Sequence, residues 1–143
     1  FYAIQHARYD TLSSSEFSEF GRAYDLKILE AARGFWLNVG HIHGEHIMFP
    51  QVCDYPVQIL NWHDRQTTPS LREALTKVSA AVCGGLSQWT TMALGSPEDV
   101  QREAQQAIQE TQGRRFILGT GCVLPIITPH GNIHAACQAT ILV

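Results

Sequence analysis

The sequence predicts an α/β protein in which parallel strands alternate with helices. Short apolar runs rich in β-branched and aromatic residues are typical of strands that are buried on both faces. Segments with helical periodicity and recognisable helix caps separate these runs. Such alternation indicates right-handed βαβ units, which build either a doubly wound sheet or a (β/α)₈ barrel. Because no G-x-G-x-x-G motif follows a predicted strand, the nucleotide-binding version of the doubly wound sheet is disfavoured.

The apolar runs predict five strands. Each run is too short for a helix and ends in glycine or polar residues, as a strand of a parallel sheet does. The predicted strands span residues 1–5, 35–40, 57–62, 80–86 and 116–119.

The first predicted helix begins at a capping box formed by Ser13 and Glu16 and ends before Gly34. Helical periodicity predicts that one apolar stripe of this helix faces the core. The stripe consists of Phe17, Phe20, Tyr24, Ile28 and Ala31.

Three further helices are predicted. One covers residues 71–78 after Pro69, and the last covers residues 131–143. The clearest runs from the cap residue Ser96 to Gly113, with Pro97 in its first turn. Pro50 is expected to interrupt or restart any helix in residues 44–56.

The composition predicts a soluble globular domain. The 143 residues are 45% hydrophobic and 16% charged, with a formal net charge of −3, which allows a buried core. There is no basic run for nucleic acid and no apolar stretch long enough for a membrane span. The four cysteines lack C-x-x-C spacing, so we expect free thiols and a cytoplasmic location. No linker divides the chain, and residues 1–143 are predicted to form one domain.

Histidines gather where predicted strands end, which is where α/β proteins place their functional residues. His41 and His43 are two residues apart, so in strand geometry both side chains point to one side and can meet one metal ion. Cys122 follows the last predicted strand and can supply a thiolate as a third ligand. Three ligands leave the fourth position of a zinc ion open for a substrate.

Other polar residues at the same strand ends suggest substrate chemistry. His63 and Asp64 form a possible acid–base pair, and Arg65 is a possible anchor for an anionic group. His6 follows the first predicted strand and can also reach a small-molecule substrate. His63 or Glu45 could complete the metal site.

Several motifs, in this order, resemble the uroporphyrinogen decarboxylase superfamily. They are GHIHGE, YPVQILNWHDR, VCGGLSQW and LGSPEDVQREAQQAIQETQGRRFILGTGC. The resemblance implies a (β/α)₈ barrel, of which this chain would be the carboxyl-terminal part, about strands 4–8. Residues 1–143 would then be a single partial barrel domain of a longer chain.

The superfamily has two branches with different chemistry. Its corrinoid-linked methyltransferases carry an H-x-C motif and a distant cysteine that bind zinc. The resemblance places His41, His43 and Cys122 at these positions, with histidine in place of the first cysteine. It implies zinc-dependent methyl transfer between a corrinoid, supplied by a partner protein, and a thiol-type acceptor.

The alternative is cofactor-free decarboxylation of uroporphyrinogen in tetrapyrrole biosynthesis. In that case His41 and Arg65 would face substrate carboxylates, and no metal would be needed. The resemblance places Thr120 near the position of a decarboxylase catalytic histidine, which favours methyl transfer. A non-catalytic binding barrel is a third possibility, and the polar groups at several strand ends disfavour it.

Overall fold

The computed structural model describes residues 1–141, in which five parallel strands form one sheet in the order β1-β2-β3-β4-β5. Each strand pairs with the next strand along the chain, and helical segments connect them. This arrangement confirms the predicted α/β class. The strands are β1 (Tyr2–Ile4), β2 (Val39–Ile42), β3 (Ile59–Trp62), β4 (Ala81–Leu86) and β5 (Phe116–Thr120).

The connections contain six α-helices and two π-helical segments within residues 1–141. Ser13, Ser70 and Ser96 each cap a helix, and each forms a reciprocal capping box with the acid three residues later. None of these helices is both long and apolar enough to cross a membrane. The helices are α1 (Ser14–Glu16), α2 (Ala23–Ala31), α3 (Phe49–Val52), α4 (Leu71–Leu75), α5 (Pro97–Thr111) and α6 (His130–Ala139), and the π-helical segments are Phe17–Arg22 and Gln88–Ala93.

The last helix is shorter than the sequence predicts. It begins at His130 and ends at Ala139, and residues 142–143 of the predicted helix lie outside the described residues. Pro50 lies in the first turn of the short helix α3, where a missing N–H leaves no helical hydrogen bond unmade.

The core lies between the helices and one face of the sheet. Ile42, Leu60, Trp62 and Val82 are fully buried there. Because successive residues of a strand point to opposite faces, their neighbours in sequence share the other face. That opposite face carries His41, Asn61 and Cys83, which lie side by side on neighbouring strands.

The predicted apolar stripe of the first helix is correct at Phe17, which is buried, and wrong beyond it. Phe20, Tyr24 and Ile28 are exposed, whereas Asp25 and Leu29 are buried. A π-helical segment, Phe17–Arg22, precedes α2. A π-helix has more residues per turn than an α-helix, so the buried face moves on by about one residue.

The second predicted strand begins too early. Phe35 and Trp36 are exposed, Trp36 by 89%, and the strand covers Val39–Ile42. The shift places His41 inside the strand and His43 directly after it.

Candidate metal centre

Four side chains converge beside the carboxyl ends of the strands. His41, His43, His63 and Cys122 each offer one donor atom, and these atoms all lie within 4.8 Å of one another. The Cys122 sulfur is 3.8 Å from Nε2 of His41 and 3.8 Å from Nδ1 of His43. The three imidazole rings lie with their centroids 5.2 to 5.9 Å apart.

Strand topology accounts for most of this convergence. His41 belongs to β2, His43 is the first residue after it, and His63 directly follows β3. Carboxyl ends of neighbouring parallel strands meet at one edge of a sheet, so these three imidazoles are close together. Cys122 comes from the loop after β5, and two strands, β3 and β4, separate β5 from β2.

Gly121 lets the Cys122 loop bridge this separation. Its N–H donates to the carbonyl of Leu86 at the end of β4. A Cβ atom at this position would lie 2.8 Å from Cα of His63 and 2.9 Å from the carbonyl oxygen of Trp62. Only glycine permits this approach of two backbones, which carries the loop over the end of β3 towards the histidines.

Asn61 orients His41. The Oδ1 atom of Asn61 lies 2.6 Å from Nδ1 of His41, and both residues are buried. An amide oxygen only accepts hydrogen bonds, so Nδ1 carries the proton. Nε2 then presents its lone pair towards Cys122.

His63 is oriented in the same way by Gln66. Oε1 of Gln66 lies 2.8 Å from Nδ1 of His63. Nε2 of His63 is buried and has no hydrogen-bond partner within the described part of the chain. A buried imidazole nitrogen without a partner is costly, and a bound ion or substrate would satisfy it.

Burial favours the neutral form of His41 and His43. Desolvation lowers the pKa of His41 and of His43 below the ordinary value, and the neighbouring imidazoles lower it further. Neutral imidazole is the form that binds a metal.

The donor set fits a zinc ion. Zinc accepts nitrogen from histidine and sulfur from cysteine in tetrahedral geometry. Its usual bond lengths place a sulfur and a nitrogen ligand about 3.5 Å apart, close to the 3.8 Å seen here for two of the histidines. His41 would bind through Nε2, His43 through Nδ1 and Cys122 through its sulfur.

A cavity of about 410 Å³ opens onto the cluster. His41, His43 and Cys122 line it together with the polar residues Gln5 and Asn61, and Phe1 and Val123 contribute apolar surface. The ring of Phe1 also stacks on His41, with centroids 5.9 Å apart. The cavity can therefore hold a small molecule in contact with the donor atoms.

Asp64 and Arg65 are not among the residues that line this cavity. The carboxylate of Asp64 accepts a hydrogen bond from the N–H of Gly85, and burial raises its pKa to about 6. Arg65 donates to the carbonyl of Gly85, and its guanidinium lies near Glu103 and Glu110 of α5. Among residues 1–141 no hydrogen bond joins Asp64 to His63, so the predicted acid–base pair is not formed in this geometry.

His6 and Glu45 also lie outside the cluster of His41, His43, His63 and Cys122. His6 lines a different cavity of about 520 Å³, next to Tyr2 and Asp25. Glu45 is exposed, and His63 is the additional donor in the cluster. The roles of His6 and Arg65 in substrate binding stay predictions.

Sequence reasoning missed three residues that shape the cluster. Asn61 lies within an apolar run and Gln66 in a turn, and neither belongs to a known metal-ligand spacing. The register of the sheet, which pairs His41 with Asn61, is the signal that would have found Asn61. Gly121 was hidden because its role depends on the approach of another strand.

Comparison with known proteins gives the family. No curated protein matches the sequence significantly. A methyltransferase from Methanosarcina mazei has a similar structure, with a TM-score of 0.82 and 22% sequence identity. The match covers 98% of this chain and 41% of that protein, so the chain spans about two fifths of the length of that methyltransferase. This likeness supports the assignment of the fold as part of a (β/α)₈ barrel. The family model for uroporphyrinogen decarboxylase matches residues 2–141, and the chain therefore belongs to the uroporphyrinogen decarboxylase family.

Proposed function

We propose that this chain carries the zinc site of an enzyme that transfers a methyl group between a corrinoid and a thiol-type acceptor. The observation that carries the proposal is the convergence of His41, His43, His63 and Cys122 on one point. Membership of the family and a fold shared with a methyltransferase support it. The corrinoid would be presented by a partner protein.

The side chains are arranged to bind the ion with little rearrangement. His41 and His43 are held neutral by burial, and Asn61 fixes the tautomer of His41. Cys122 is then the one donor of the three that must lose a proton. A zinc ion bound here would lower the pKa of a substrate thiol, so that the thiolate is present at neutral pH.

We assign His63 to the substrate position of the ion, because its donor atom lies within 4.8 Å of those of the three ligands. Catalytic zinc sites use three protein ligands and keep a fourth position open, and we assign His41, His43 and Cys122 as the three. Nε2 of His63 is buried and unpartnered in the described residues. It can therefore take the proton of an incoming thiol or hold the acceptor against the ion.

The second histidine changes the charge of the site. The related branch has a thiolate where this chain has His43, so the neutral imidazole makes the site more positive by one unit. A more positive site stabilises a bound thiolate more strongly and makes it a weaker nucleophile. We therefore expect the bound acceptor thiol to have a low pKa and its thiolate to accept the methyl group slowly.

Decarboxylation is less well supported by the geometry. That function would use Arg65 to hold a substrate carboxylate. Here Arg65 is hydrogen bonded to Gly85 and lies near three carboxylates, those of Asp64, Glu103 and Glu110. Its charge is therefore already balanced within the protein.

A methyl-transfer assay tests the proposal. The protein, loaded with zinc, is mixed with methylcobalamin and 2-mercaptoethanol, and loss of the methyl group is followed by the absorbance of the corrinoid. We expect demethylation that depends on zinc and on the thiol. It should be lost in Cys122→Ala and kept in Cys137→Ala, since Cys137 is exposed on α6. Absence of demethylation, together with release of carbon dioxide from uroporphyrinogen, would overturn the proposal in favour of decarboxylation.

A further inference from the structure

Asn61 occupies the centre of the polar face of the sheet. It lies on β3, paired in register with His41 of β2 on one side and with Cys83 of β4 on the other. The side chain is buried, with 7% of the residue exposed. All three of its polar contacts are made with protein groups.

The amide group of Asn61 can adopt only one orientation. Nδ2 donates to the carbonyl oxygen of Cys83 at 2.8 Å and to that of Thr120 at 3.0 Å. Backbone carbonyls only accept hydrogen bonds, so the NH₂ group must face them. Oδ1 is then directed at Nδ1 of His41.

This orientation selects one tautomer of His41. Were the proton on Nε2, the lone pair of Nδ1 would face the lone pairs of an amide oxygen at 2.6 Å in a buried site. The Nδ1–H tautomer removes that repulsion and adds a hydrogen bond. It also leaves Nε2, which faces Cys122, free to donate its electron pair.

The second half of the same amide reaches the segment that carries Cys122. Thr120 is the last residue of β5, and Asn61 holds its carbonyl oxygen. The hydroxyl of Thr120 donates to the carbonyl oxygen of Cys122 at 2.6 Å. The side chain of Asn61 is thus hydrogen bonded to the candidate ligand His41 on β2 and to Thr120, which leads into the loop after β5.

We propose that Asn61 is a positioning residue that fixes the tautomer of His41 and the place of the Cys122 loop together. The functional role of Asn61 rests on the proposed zinc site, but the tautomer of His41 is a property of the metal-free protein. Replacing a residue that hydrogen bonds to a metal ligand typically lowers metal affinity by about 10- to 100-fold.

Two variants separate the two halves of the amide. Asn61→Leu removes every polar contact and keeps the branched shape and the number of side-chain heavy atoms. Asn61→Asp keeps an acceptor for His41 and loses the donors to the carbonyls of Cys83 and Thr120. Asn38→Leu is the matched control, because Asn38 is equally buried and bonds to the carbonyl of Ala32, away from the cluster.

The first readout is the tautomer of His41 in metal-free protein at pH 8, measured by long-range ¹H–¹⁵N NMR. We expect a proton on Nδ1 in the wild type, in Asn61→Asp and in Asn38→Leu. In Asn61→Leu we expect a shift towards the Nε2–H form. The second readout is zinc affinity by chelator competition, which should fall about 10- to 100-fold in Asn61→Leu and stay unchanged in Asn38→Leu.

The outcomes are distinguishable from those of the proposed function. A proton on Nε2 of His41 in the wild type would overturn the inference, and so would an unchanged tautomer and zinc affinity in Asn61→Leu. If Asn61→Leu does not fold, the wild type and Asn61→Asp still decide the tautomer. A wild type that binds no zinc but holds His41 as Nδ1–H would contradict the zinc site and leave the role of Asn61 in selecting the tautomer intact.

Discussion

The sulfur of Cys122 lies 3.8 Å from Nε2 of His41 although 81 positions separate the two residues in the chain. Their strands are not neighbours, since β3 and β4 lie between them. The loop after β5 closes this gap by passing over the end of β3, where Gly121 lies against the backbone of Trp62 and His63. The candidate metal centre therefore depends on a backbone contact as much as on its donors.

Gly121→Ala should weaken metal binding without removing any donor. The added methyl group would meet two backbone atoms at less than 3 Å, and backbone cannot move aside as a flexible side chain does. We expect the loop to shift and zinc affinity to fall by about 10-fold or more, as for other changes that displace a ligand indirectly. Chelator competition on the purified variant measures this.

Gly34→Ala is the control for that substitution. A Cβ atom at Gly34 would meet nothing within 4 Å, so affinity should be unchanged. If Gly121→Ala bound zinc as tightly as Gly34→Ala, the loop contact would have no part in forming the site.

His63 should affect the rate of transfer more than the content of metal. We assign it to the substrate position, so His63→Ala should retain about one zinc per chain while methyl transfer falls about 100-fold, within the usual range for an acid–base group. Gln66→Ala, which frees the His63 ring, should act in the same direction with a smaller loss. Metal analysis and the methylcobalamin assay give the two quantities. Loss of zinc from His63→Ala would instead show a closed site with four protein ligands.

Asp64 should make the protein less stable as the pH rises from about 4 to 6. Burial raises the pKa of this carboxyl from 3.8 to about 6, so the folded chain binds the proton more tightly than the unfolded chain. Its contribution is most favourable below pH 3.8, where both states are protonated, and is lost as the pH rises to about 6. The difference corresponds to about 2–3 kcal/mol.

Asp64→Asn tests this directly, because the amide cannot ionise and its oxygen still accepts from Gly85. Urea unfolding at several pH values should show equal stability of the two proteins near pH 4 and a more stable variant at pH 8. If the free energy of unfolding of the two proteins changed with pH in the same way, folding would not raise the pKa of Asp64.

The sequence predicted the strands well and the surfaces of the helices less well. Continuous apolar runs mark buried parallel strands, so all five were found, although the second began several residues early. The buried face of the first helix was predicted incorrectly, because the periodicity of an α-helix was assumed through a π-helical segment. Local pattern does not reveal such a segment, and Phe20, Tyr24 and Ile28 consequently face solvent.

In the candidate site, too, local sequence pattern predicted some features and missed those that depend on contacts between strands. His41, His43 and Cys122 were predicted together as metal ligands, and the structure brings their donor atoms within 4.8 Å of one another. His63 was assigned to an acid–base pair with Asp64, but its ring is hydrogen bonded to Gln66 and the carboxylate of Asp64 to the N–H of Gly85. The roles of Asn61 and Gly121 follow from contacts across strands, which a single sequence does not contain.

Zinc content of the protein purified without chelator tests the central claim most directly. The comparison is between wild type, Cys122→Ala and the control Cys137→Ala, each analysed by mass spectrometry of the metal. The zinc site proposed here predicts about one zinc per chain in the wild type and in Cys137→Ala, and loss of that zinc in Cys122→Ala. No zinc in the wild type, or zinc that is retained in Cys122→Ala, would contradict it and direct attention to decarboxylation.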